Sequence, residues 1–206
     1  MKPENSLSKG YTSPKTKIGQ QKMDVLINAA AELFAENGFY DTSVADICKR
    51  ANTAVGTFYI YFKTKTDVYA CLLDKYQKQI KEFLDEYIQS CSTRYDKERA
   101  GIKAFVKFAI QNPSVYNVIW GSLSIDEKMF RDYYTSFAKS YAYSLKKDAD
   151  EMSGTDYTTL AYFLMGISNF LGLRGIFEKM DDSQIDEMID NTIMPALAGG
   201  ILSKKD

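Results

Sequence analysis

The side chains suited to chemistry in this sequence are hydroxyl and ammonium groups, and they cluster around one short apolar stretch. Thr57 and Tyr59 lie inside TAVGTFYIYF, residues 53–62, and Lys63 and Lys65 follow it directly. Hydroxyl and ammonium groups donate hydrogen bonds to phosphate oxygens, and uncharged side chains can contact base edges and thymine methyl groups. Gly56 would let the backbone approach a partner closely. The stretch therefore indicates binding rather than catalysis.

The composition excludes several classes of enzyme. The sequence contains no histidine, which excludes serine–histidine and cysteine–histidine catalysis and zinc sites of mixed cysteine and histidine. Its three cysteines, Cys48, Cys71 and Cys91, have no C-x-x-C spacing, and we expect them to be reduced thiols. No convergent cluster of polar residues points to catalysis. We therefore expect no enzymatic activity, no metal and no cofactor.

The charges are distributed unevenly along the chain. Residues 1–65 hold nine lysines and arginines against six acidic residues, whereas residues 66–206 hold seventeen against twenty-one. A basic front indicates a polyanionic partner near the N-terminus. Residues 1–15 are polar and lysine-rich, and we expect them to be a disordered basic arm.

The remaining residues are predicted to be helical, because no segment alternates convincingly between apolar and polar residues. Gly38 is expected to end the first helix as a left-handed cap. Capping patterns begin at Ser43, Thr64 and Ser124, each with an acidic residue three positions later. The sequence thus predicts an all-α protein of nine helices, over about residues 16–37, 43–51, 53–62, 64–90, 95–111, 113–120, 125–151, 155–179 and 183–198.

The second and third predicted helices are short and flank a tight turn at Asn52, a residue type that tolerates positive φ. They follow a longer helix, and this is the layout of a three-helix unit that binds DNA through a helix-turn-helix. In such a unit Phe58 and Phe62 would point inward. The residues left outward or at the flanks are Val55, Gly56, Thr57, Tyr59 and Ile60. The alternative is a short helix buried on all sides.

Residues 29–68, AAAELFAENGFYDTSVADICKRANTAVGTFYIYFKTKTDV, resemble the DNA-binding domain of the TetR family of bacterial transcriptional regulators. The family pattern joins LF-x-E-x-G-[FY] to TSV-x-DI-A and, after a short turn, to G-T-[LF]-Y-x-[HY]-F-x-[ST]-K. The resemblance covers about residues 23–68. The matching residues are Leu33, Phe34, Glu36, Gly38, Phe39, Thr42, Ser43, Val44, Asp46, Ile47, Gly56, Thr57, Phe58, Tyr59, Tyr61, Phe62 and Lys65.

The resemblance implies a set of DNA contacts. Thr57 and Tyr59 would contact operator DNA, and Lys65 would hold a backbone phosphate. Thr42 and Ser43 would contact phosphate at the start of the second helix. The family often has Gly-Val-Ser where this chain has Asn-Thr-Ala at residues 52–54, so the helix cap is expected to move to Thr53. The predicted DNA-binding set is Thr42, Ser43, Ala54, Val55, Gly56, Thr57, Tyr59, Ile60, Lys63 and Lys65.

TetR-like proteins pair through their last two helices, which implies a homodimer. Three glycines in the eighth predicted helix are costly there and indicate close packing of another helix: Gly166, Gly172 and Gly175. The alternative is packing within one chain. The predicted dimerisation residues are Leu160, Leu164, Ile167, Leu171, Ile185 and Ile189.

The resemblance also implies a small-molecule inducer held in the C-terminal domain, and the middle of the chain is rich in aromatic residues that suit an apolar or aromatic ligand. The alternative for each of these aromatic residues is that it packs in the hydrophobic core. For Arg174 the alternative is an ion pair at the surface or in an interface. The predicted ligand-binding residues are Phe105, Phe108, Tyr116, Trp120, Met129, Phe130, Tyr133, Phe137, Met165, Asn169 and Arg174.

These expectations define one function with two alternatives. Residues 16–64 would form the helix-turn-helix domain and residues 65–206 the ligand-binding and dimerisation domain. The chain would be a cytoplasmic, ligand-responsive transcriptional repressor that leaves a palindromic double-stranded DNA operator when a small apolar or aromatic inducer binds. No run of 18 apolar residues indicates a membrane span. The alternatives are a helical enzyme and a helical adaptor that does not bind DNA.

Overall fold

The computed structural model describes residues 10–151 and 156–199, and these residues confirm the all-α prediction. These residues form nine α-helices, α1 to α9. The last, α9, comprises Asp182–Met188 and Met194–Leu197, which are joined by a π-helical segment, Ile189–Ile193. The others are α1 Lys17–Asn37, α2 Val44–Arg50, α3 Val55–Tyr61, α4 Lys65–Ile88, α5 Arg94–Gln111, α6 Pro113–Ile125, α7 Glu127–Lys147 and α8 Tyr157–Glu178.

The helices divide into two compact units. The first comprises the described residues up to Gln77 together with Ser114–Tyr133, and the second comprises Lys78–Pro113 together with the described residues from Tyr134 onward. The helix-turn-helix and almost all of α6 therefore lie in the first unit, and α5, α8 and α9 lie in the second. The predicted limits at residues 16–64 and 65–206 are functional limits and stay a prediction.

Side-chain caps begin α2 and α4. The hydroxyl of Ser43 accepts a hydrogen bond from the backbone NH of Asp46, whose carboxylate accepts one from the backbone NH of Ser43. Thr64 and Asp67 form the same reciprocal pair at the start of α4. Two of the three predicted capping patterns, those at Ser43 and Thr64, are therefore present. Gly38 ends α1 with φ 80° and ψ 171°, a region almost confined to glycine but outside the left-handed helical conformation expected there.

The predicted boundary between the sixth and seventh helices is wrong. α6 continues to Ile125 instead of ending near Trp120. The Ser124 hydroxyl donates to the main-chain oxygen of Gly121, 2.9 Å away, so it belongs to the last turn of α6 and does not cap α7. Asp126 takes the capping role, because its carboxylate accepts a hydrogen bond from the backbone NH of Met129 at 3.1 Å.

In the second unit α5 packs against α8, and two of the three predicted glycines lie at this contact. A Cβ atom at Gly172 would lie 3.1 Å from Cβ of Ala109, and one at Gly175 would lie 2.9 Å from Cδ1 of Ile110. The close helix is therefore α5 of the same chain. A Cβ atom at Gly166 would meet no atom within 4 Å, so close packing of a helix does not explain this glycine.

A ladder of ion pairs joins α5 to α9 on the surface of the second unit. The cations are spaced four residues apart on α5, and the carboxylates are spaced four residues apart in the opposite direction on α9. The pairs are Arg99 with Asp186 and Asp190, Lys103 with Asp186, and Lys107 with Asp182. The antiparallel order of the two helices follows directly from this pairing.

Among the described residues, α8 is long and apolar enough to cross a membrane by length and composition. Its inner residues, including Ala161, Leu164 and Met165, are part of the hydrophobic core of the second unit. A core helix of a globular domain passes the same test of length and composition.

Candidate nucleic-acid interface

The recognition helix candidate α3 presents an exposed face of uncharged side chains. Phe58 and Phe62 are 0% and 1% exposed, and their ring centroids lie 5.3 Å apart. On the other side Val55, Tyr59 and Ile60 are 45%, 57% and 64% exposed. This is the orientation predicted from the sequence, and it rules out a helix buried on all sides.

The turn before α3 has the predicted conformation at Asn52, whose φ is 50°. The prediction that the cap moves to Thr53 is wrong, because the N-cap residue is Ala54, which makes no side-chain hydrogen bond to the helix. The backbone NH of Thr53 donates to the main-chain oxygen of Cys48 at 2.9 Å. This bond holds Thr53 in the turn after α2 and away from the capping position.

Thr42 and Ser43 have different environments although they are neighbours. The prediction that the Thr42 side chain contacts phosphate is wrong, because Thr42 is 1% exposed and its hydroxyl donates to the main-chain oxygen of Gly38 at 2.8 Å. Ser43 is exposed at the start of α2. Backbone NH groups at the start of a helix can donate hydrogen bonds to a phosphate, so the phosphate contact predicted for Ser43 stays a prediction.

Lys65 is the second site residue that the structure corrects. Its ammonium group donates to the main-chain oxygens of Phe39 and Thr42, the latter at 2.6 Å, and lies 4.2 Å from the centroid of the Phe39 ring. Burial lowers the pKa of this ammonium group, and the charge of Asp41 partly offsets the effect. Lys65 therefore fastens the loop between α1 and α2 in this structure instead of projecting toward a phosphate.

Two other lysines near α3 are exposed. Lys63 follows the helix, and Lys49 lies in the last turn of α2. Arg50, beside Lys49, is held by Glu36 at 2.8 Å and Glu32 at 3.0 Å. We infer that Lys49 and Lys63 are better placed than Arg50 or Lys65 to meet a polyanion.

The predicted dimerisation residues divide into two groups. Leu164, Ile185 and Ile189 are 0–1% exposed and belong to the core of the second unit. For these three the prediction is wrong, because a residue buried within its own chain has no surface to offer a partner. Leu160, Ile167 and Leu171 pack against the same core but are only partly buried, so their role stays a prediction.

A different row of residues gives α8 its exposed apolar face. Phe163, Phe170 and Phe177 are 49%, 68% and 73% exposed. They are spaced seven residues apart, which places them along one side of a helix. This row was not predicted from the sequence, although three phenylalanines spaced seven residues apart are a usable signal of a helical face.

The predicted ligand-binding residues lie in both compact units. In the first unit the Trp120 ring centroid lies 6.3 Å from that of Tyr116 and 6.1 Å from that of Phe130, and Trp120 is 39% exposed. Met129 and Tyr133 are buried in the same unit. Tyr116, Trp120 and Phe130 thus form an aromatic cluster with one partly open indole.

In the second unit the ligand prediction is weaker. Met165 belongs to the hydrophobic core and Phe137 packs against it, while Phe108 is buried with its ring centroid 5.5 Å from that of Phe83. Carbon Cε1 of Phe105 lies 3.2 Å from the position of a Cβ at Gly172. Core packing accounts for all four side chains.

The two polar candidates on α8 also have partners within their own helix. The exposed guanidinium of Arg174 is paired with Glu178, four residues later, at 3.0 Å, as the ion-pair alternative predicts, and its contact with a ligand stays a prediction. The amide of Asn169 donates to the main-chain oxygen of Met165 at 2.8 Å.

A three-helix unit with a buried Phe58–Phe62 anchor and an exposed, uncharged recognition face defines a helix-turn-helix DNA-binding domain. Residues 26–71 match the family model of bacterial regulatory proteins, tetR family. This part of the chain is therefore similar to the DNA-binding domain of the TetR family.

Relatives and solved structures agree with this assignment. Over 72 residues, 35% of this chain and 37% of the relative, the chain is 39% identical to the fatty acid metabolism regulator protein of Bacillus subtilis. Over 116 residues, 52% of this chain and 60% of the relative, it is 29% identical to the transcriptional regulator QacR of Staphylococcus aureus. The chain thus spans less than two thirds of the length of either relative.

The fold extends the likeness to nearly the whole chain. The fatty acid degradation regulator FadR of Bacillus halodurans matches with a TM-score of 0.72 and 18% identity, over 91% of this chain and 98% of FadR. A TetR-like regulator of Rhodococcus sp. RHA1 matches with a TM-score of 0.66 and 17% identity, over 91% of this chain and all of that chain. The chain has the TetR-family fold, and all four of these proteins are described as regulators.

Proposed function

We propose that this protein is a cytoplasmic transcriptional regulator that binds a palindromic DNA operator as a homodimer and leaves it when a small apolar or aromatic ligand binds. The observation that carries the proposal is the exposed, uncharged face of α3 within a domain similar to that of the TetR family. A helical enzyme and a helical adaptor that does not bind DNA remain the competing functions.

The DNA contacts follow from the exposure of each side chain. Val55 and Ile60 offer apolar contacts to thymine methyl groups in a major groove, and the hydroxyl of Tyr59 can donate to a base edge or a phosphate. Gly56, where an added Cβ would meet nothing within 4 Å, allows a close approach of the backbone. Lys49 and Lys63 supply the phosphate contacts that fix the orientation of the domain.

The proposed dimer uses the exposed face of α8. Phe163, Phe170 and Phe177 form an apolar row that is unusual for a monomer surface, and large exposed apolar patches mark interaction sites. A two-fold dimer brings the same row from each chain together. Two recognition helices about 34–36 Å apart then match successive major grooves, which requires an operator with two related half-sites.

The proposed ligand site is the aromatic cluster of Tyr116, Trp120 and Phe130, whose indole is only partly covered. An inducer releases DNA only if it binds the DNA-free conformation more tightly than the DNA-bound one. The ligands to be tested are small aromatic compounds and fatty acids, the latter because the Bacillus subtilis relative is named for fatty acid metabolism.

The experiment that tests the function is an electrophoretic mobility shift with DNA from upstream of the protein's own gene, carried out over a series of salt concentrations. We expect a specific complex whose affinity falls steeply with salt, since phosphate contacts release counterions. Tyr59→Ala should weaken it. Tyr143→Ala is a matched control, because Tyr143 is 56% exposed and lies in the second unit. Failure to bind any upstream fragment better than unrelated DNA would favour the enzyme or the adaptor.

A further inference from the structure

The extended segment Gly10–Thr12, which we call the strap, holds the C-terminal end of the recognition helix. Tyr11 forms an isolated antiparallel bridge with Phe62, and the backbone NH of Thr12 donates to the main-chain oxygen of Tyr61 at 2.9 Å. Tyr61 is the last residue of α3. The prediction of a disordered arm over residues 1–15 is therefore wrong for the strap, whereas residues 1–9 lie outside the described part of the chain.

The side chain of Tyr11 fastens the strap to α4. Its hydroxyl donates to Oδ2 of Asp74 at 2.8 Å, and its ring centroid lies 6.4 Å from that of Phe62. Burial, reinforced by the Asp74 carboxylate, raises the pKa of the Tyr11 hydroxyl. The hydroxyl therefore stays protonated and remains a donor at any physiological pH.

The strap follows one face of α4. Asp67, Cys71 and Asp74 lie on the same side of this helix because they are spaced four and three residues apart. A Cβ atom at Gly10 would lie 1.9 Å from Oδ1 of Asp67, the carboxylate that also closes the capping box of α4. The missing side chain at position 10 lets the strap lie directly over the start of α4.

The recognition helix needs such external support. α3 has seven residues and no side-chain cap, and a helix this short is not stable on its own. Its direction is therefore set by tertiary contacts, which include those of the buried Phe58 and Phe62 on its inner side and of the strap at its end. A small rotation of α3 would move Tyr59 and Ile60 away from the base edges.

We propose, on the basis of the DNA-binding function proposed above, that the strap positions α3 for operator recognition and that Tyr11, anchored on Asp74, is its positioning residue. The strap contacts the end and inner side of α3 and leaves its exposed face open. It acts on sequence-specific contacts through the orientation of the helix. Loss of the anchor should lower operator affinity more than affinity for unrelated DNA, with no change in the salt dependence.

The test uses the full-length protein and compares Tyr11→Ala, Tyr11→Phe and Asp74→Asn with Tyr143→Ala as the control. Fluorescence anisotropy measures the ratio of operator affinity to affinity for unrelated DNA, and hydrogen–deuterium exchange measures protection of residues 55–62. We expect Tyr11→Phe to lower the ratio about tenfold, the effect of roughly one net hydrogen bond, and Tyr11→Ala to lower it further, because it also removes the ring near Phe62. Asp74→Asn, which keeps an acceptor oxygen, should behave as the parent protein.

The exchange measurement separates this inference from the function on which it rests. Faster exchange of residues 55–62 in Tyr11→Ala, with unchanged exchange in α1, would support the strap even if the parent protein bound no operator. Parent-like exchange together with a parent-like affinity ratio in Tyr11→Ala would overturn the proposal. A lower affinity ratio in Tyr11→Ala, accompanied by equally faster exchange in α1 and in residues 55–62, would also overturn the proposal, because it would indicate general unfolding.

Discussion

The ammonium nitrogen of Lys65 lies 2.6 Å from the main-chain oxygen of Thr42. Lys65 begins α4, and Thr42 lies directly before Ser43, the capping residue of α2. This bond, together with the one to Phe39, ties the start of α4 to the loop from which α2 begins. A lysine that the sequence assigns to phosphate binding is thus a structural element of the helix-turn-helix domain.

Replacing Lys65 distinguishes the two roles. We expect Lys65→Ala to lower the free energy of unfolding by about 1–3 kcal/mol, because the hydrogen bonds from its charged ammonium group to the oxygens of Phe39 and Thr42 are lost. Operator affinity should fall as a consequence. Chemical denaturation followed by circular dichroism measures the first effect. The matched control is Lys63→Ala, which should flatten the salt dependence of DNA binding by about one unit without a change in stability. Parent-like stability of Lys65→Ala with a flattened salt slope would restore the phosphate role.

Tyr59 provides the direct test of the recognition face. We expect Tyr59→Ala to weaken operator binding by about 1–3 kcal/mol if its side chain contacts a base edge. The fold should be retained, because Tyr59 is 57% exposed. Titration of labelled operator measures the affinity, and circular dichroism verifies the fold. Unchanged affinity in this variant would mean that α3 is not the helix that enters the groove.

The exposed phenylalanine row of α8 predicts the residues that control assembly. Phe170→Glu should shift a dimer toward monomers while the helical content is retained, since Phe170 is 68% exposed in a single chain. Leu164→Glu is the contrasting variant, because Leu164 is fully buried and a charge there should unfold the second unit. Sedimentation velocity at micromolar concentration measures the assembly. A parent protein that sediments as a monomer under these conditions would contradict the proposed dimer.

Trp120 should report on ligand binding, because it is the only tryptophan in the sequence and is 39% exposed. An apolar ligand that covers the indole should shift its emission to shorter wavelength in step with the release of labelled operator. Trp120→Phe should still bind DNA but respond at a different ligand concentration. The proposed site is wrong if a ligand that releases DNA leaves the emission unchanged and acts equally on Trp120→Ala.

The ion-pair ladder predicts how stability depends on pH. The pKa of Asp182 lies below its ordinary value because Lys107 donates a hydrogen bond to its carboxylate, and Arg99 does the same for Asp190. A lowered pKa in the folded state means that the stabilisation is present above the unfolded pKa, about 3.9, and is lost as the pH falls through the folded value.

Urea unfolding at several values between pH 7 and pH 2 measures this dependence. We expect a decline below about pH 4 that is shallower in the double variant Asp182→Asn and Asp190→Asn. Glu187→Gln, an exposed position on the same helix, is the control and should retain the parent slope. If stability declines with falling pH as steeply in the double variant as in the parent protein, the ladder does not contribute to acid unfolding.

Much of the first unit was determined by local sequence. The capping boxes at Ser43 and Thr64, the turn at Asn52 and the inward position of Phe58 and Phe62 were all predicted, because each depends on residues within four positions of one another. The same local rules failed at Ser124. There the choice between ending α6 and starting α7 depended on whether a hydroxyl bonded backward to Gly121 or forward into the next helix.

Contacts between distant parts of the chain decided the remaining features. Whether Lys65 meets a phosphate or the carbonyls of residues 39 and 42, and whether Leu164 faces a partner or its own core, depends on which surfaces the folded chain covers. Apolar spacing identifies a helical face but does not distinguish burial within one chain from burial between two. The sequence by itself thus determined the all-α class, the caps at Ser43 and Thr64 and the resemblance of residues 26–71 to the TetR family. Only the tertiary structure placed Tyr11 on Asp74, because a bond across 63 positions leaves no local pattern in the sequence.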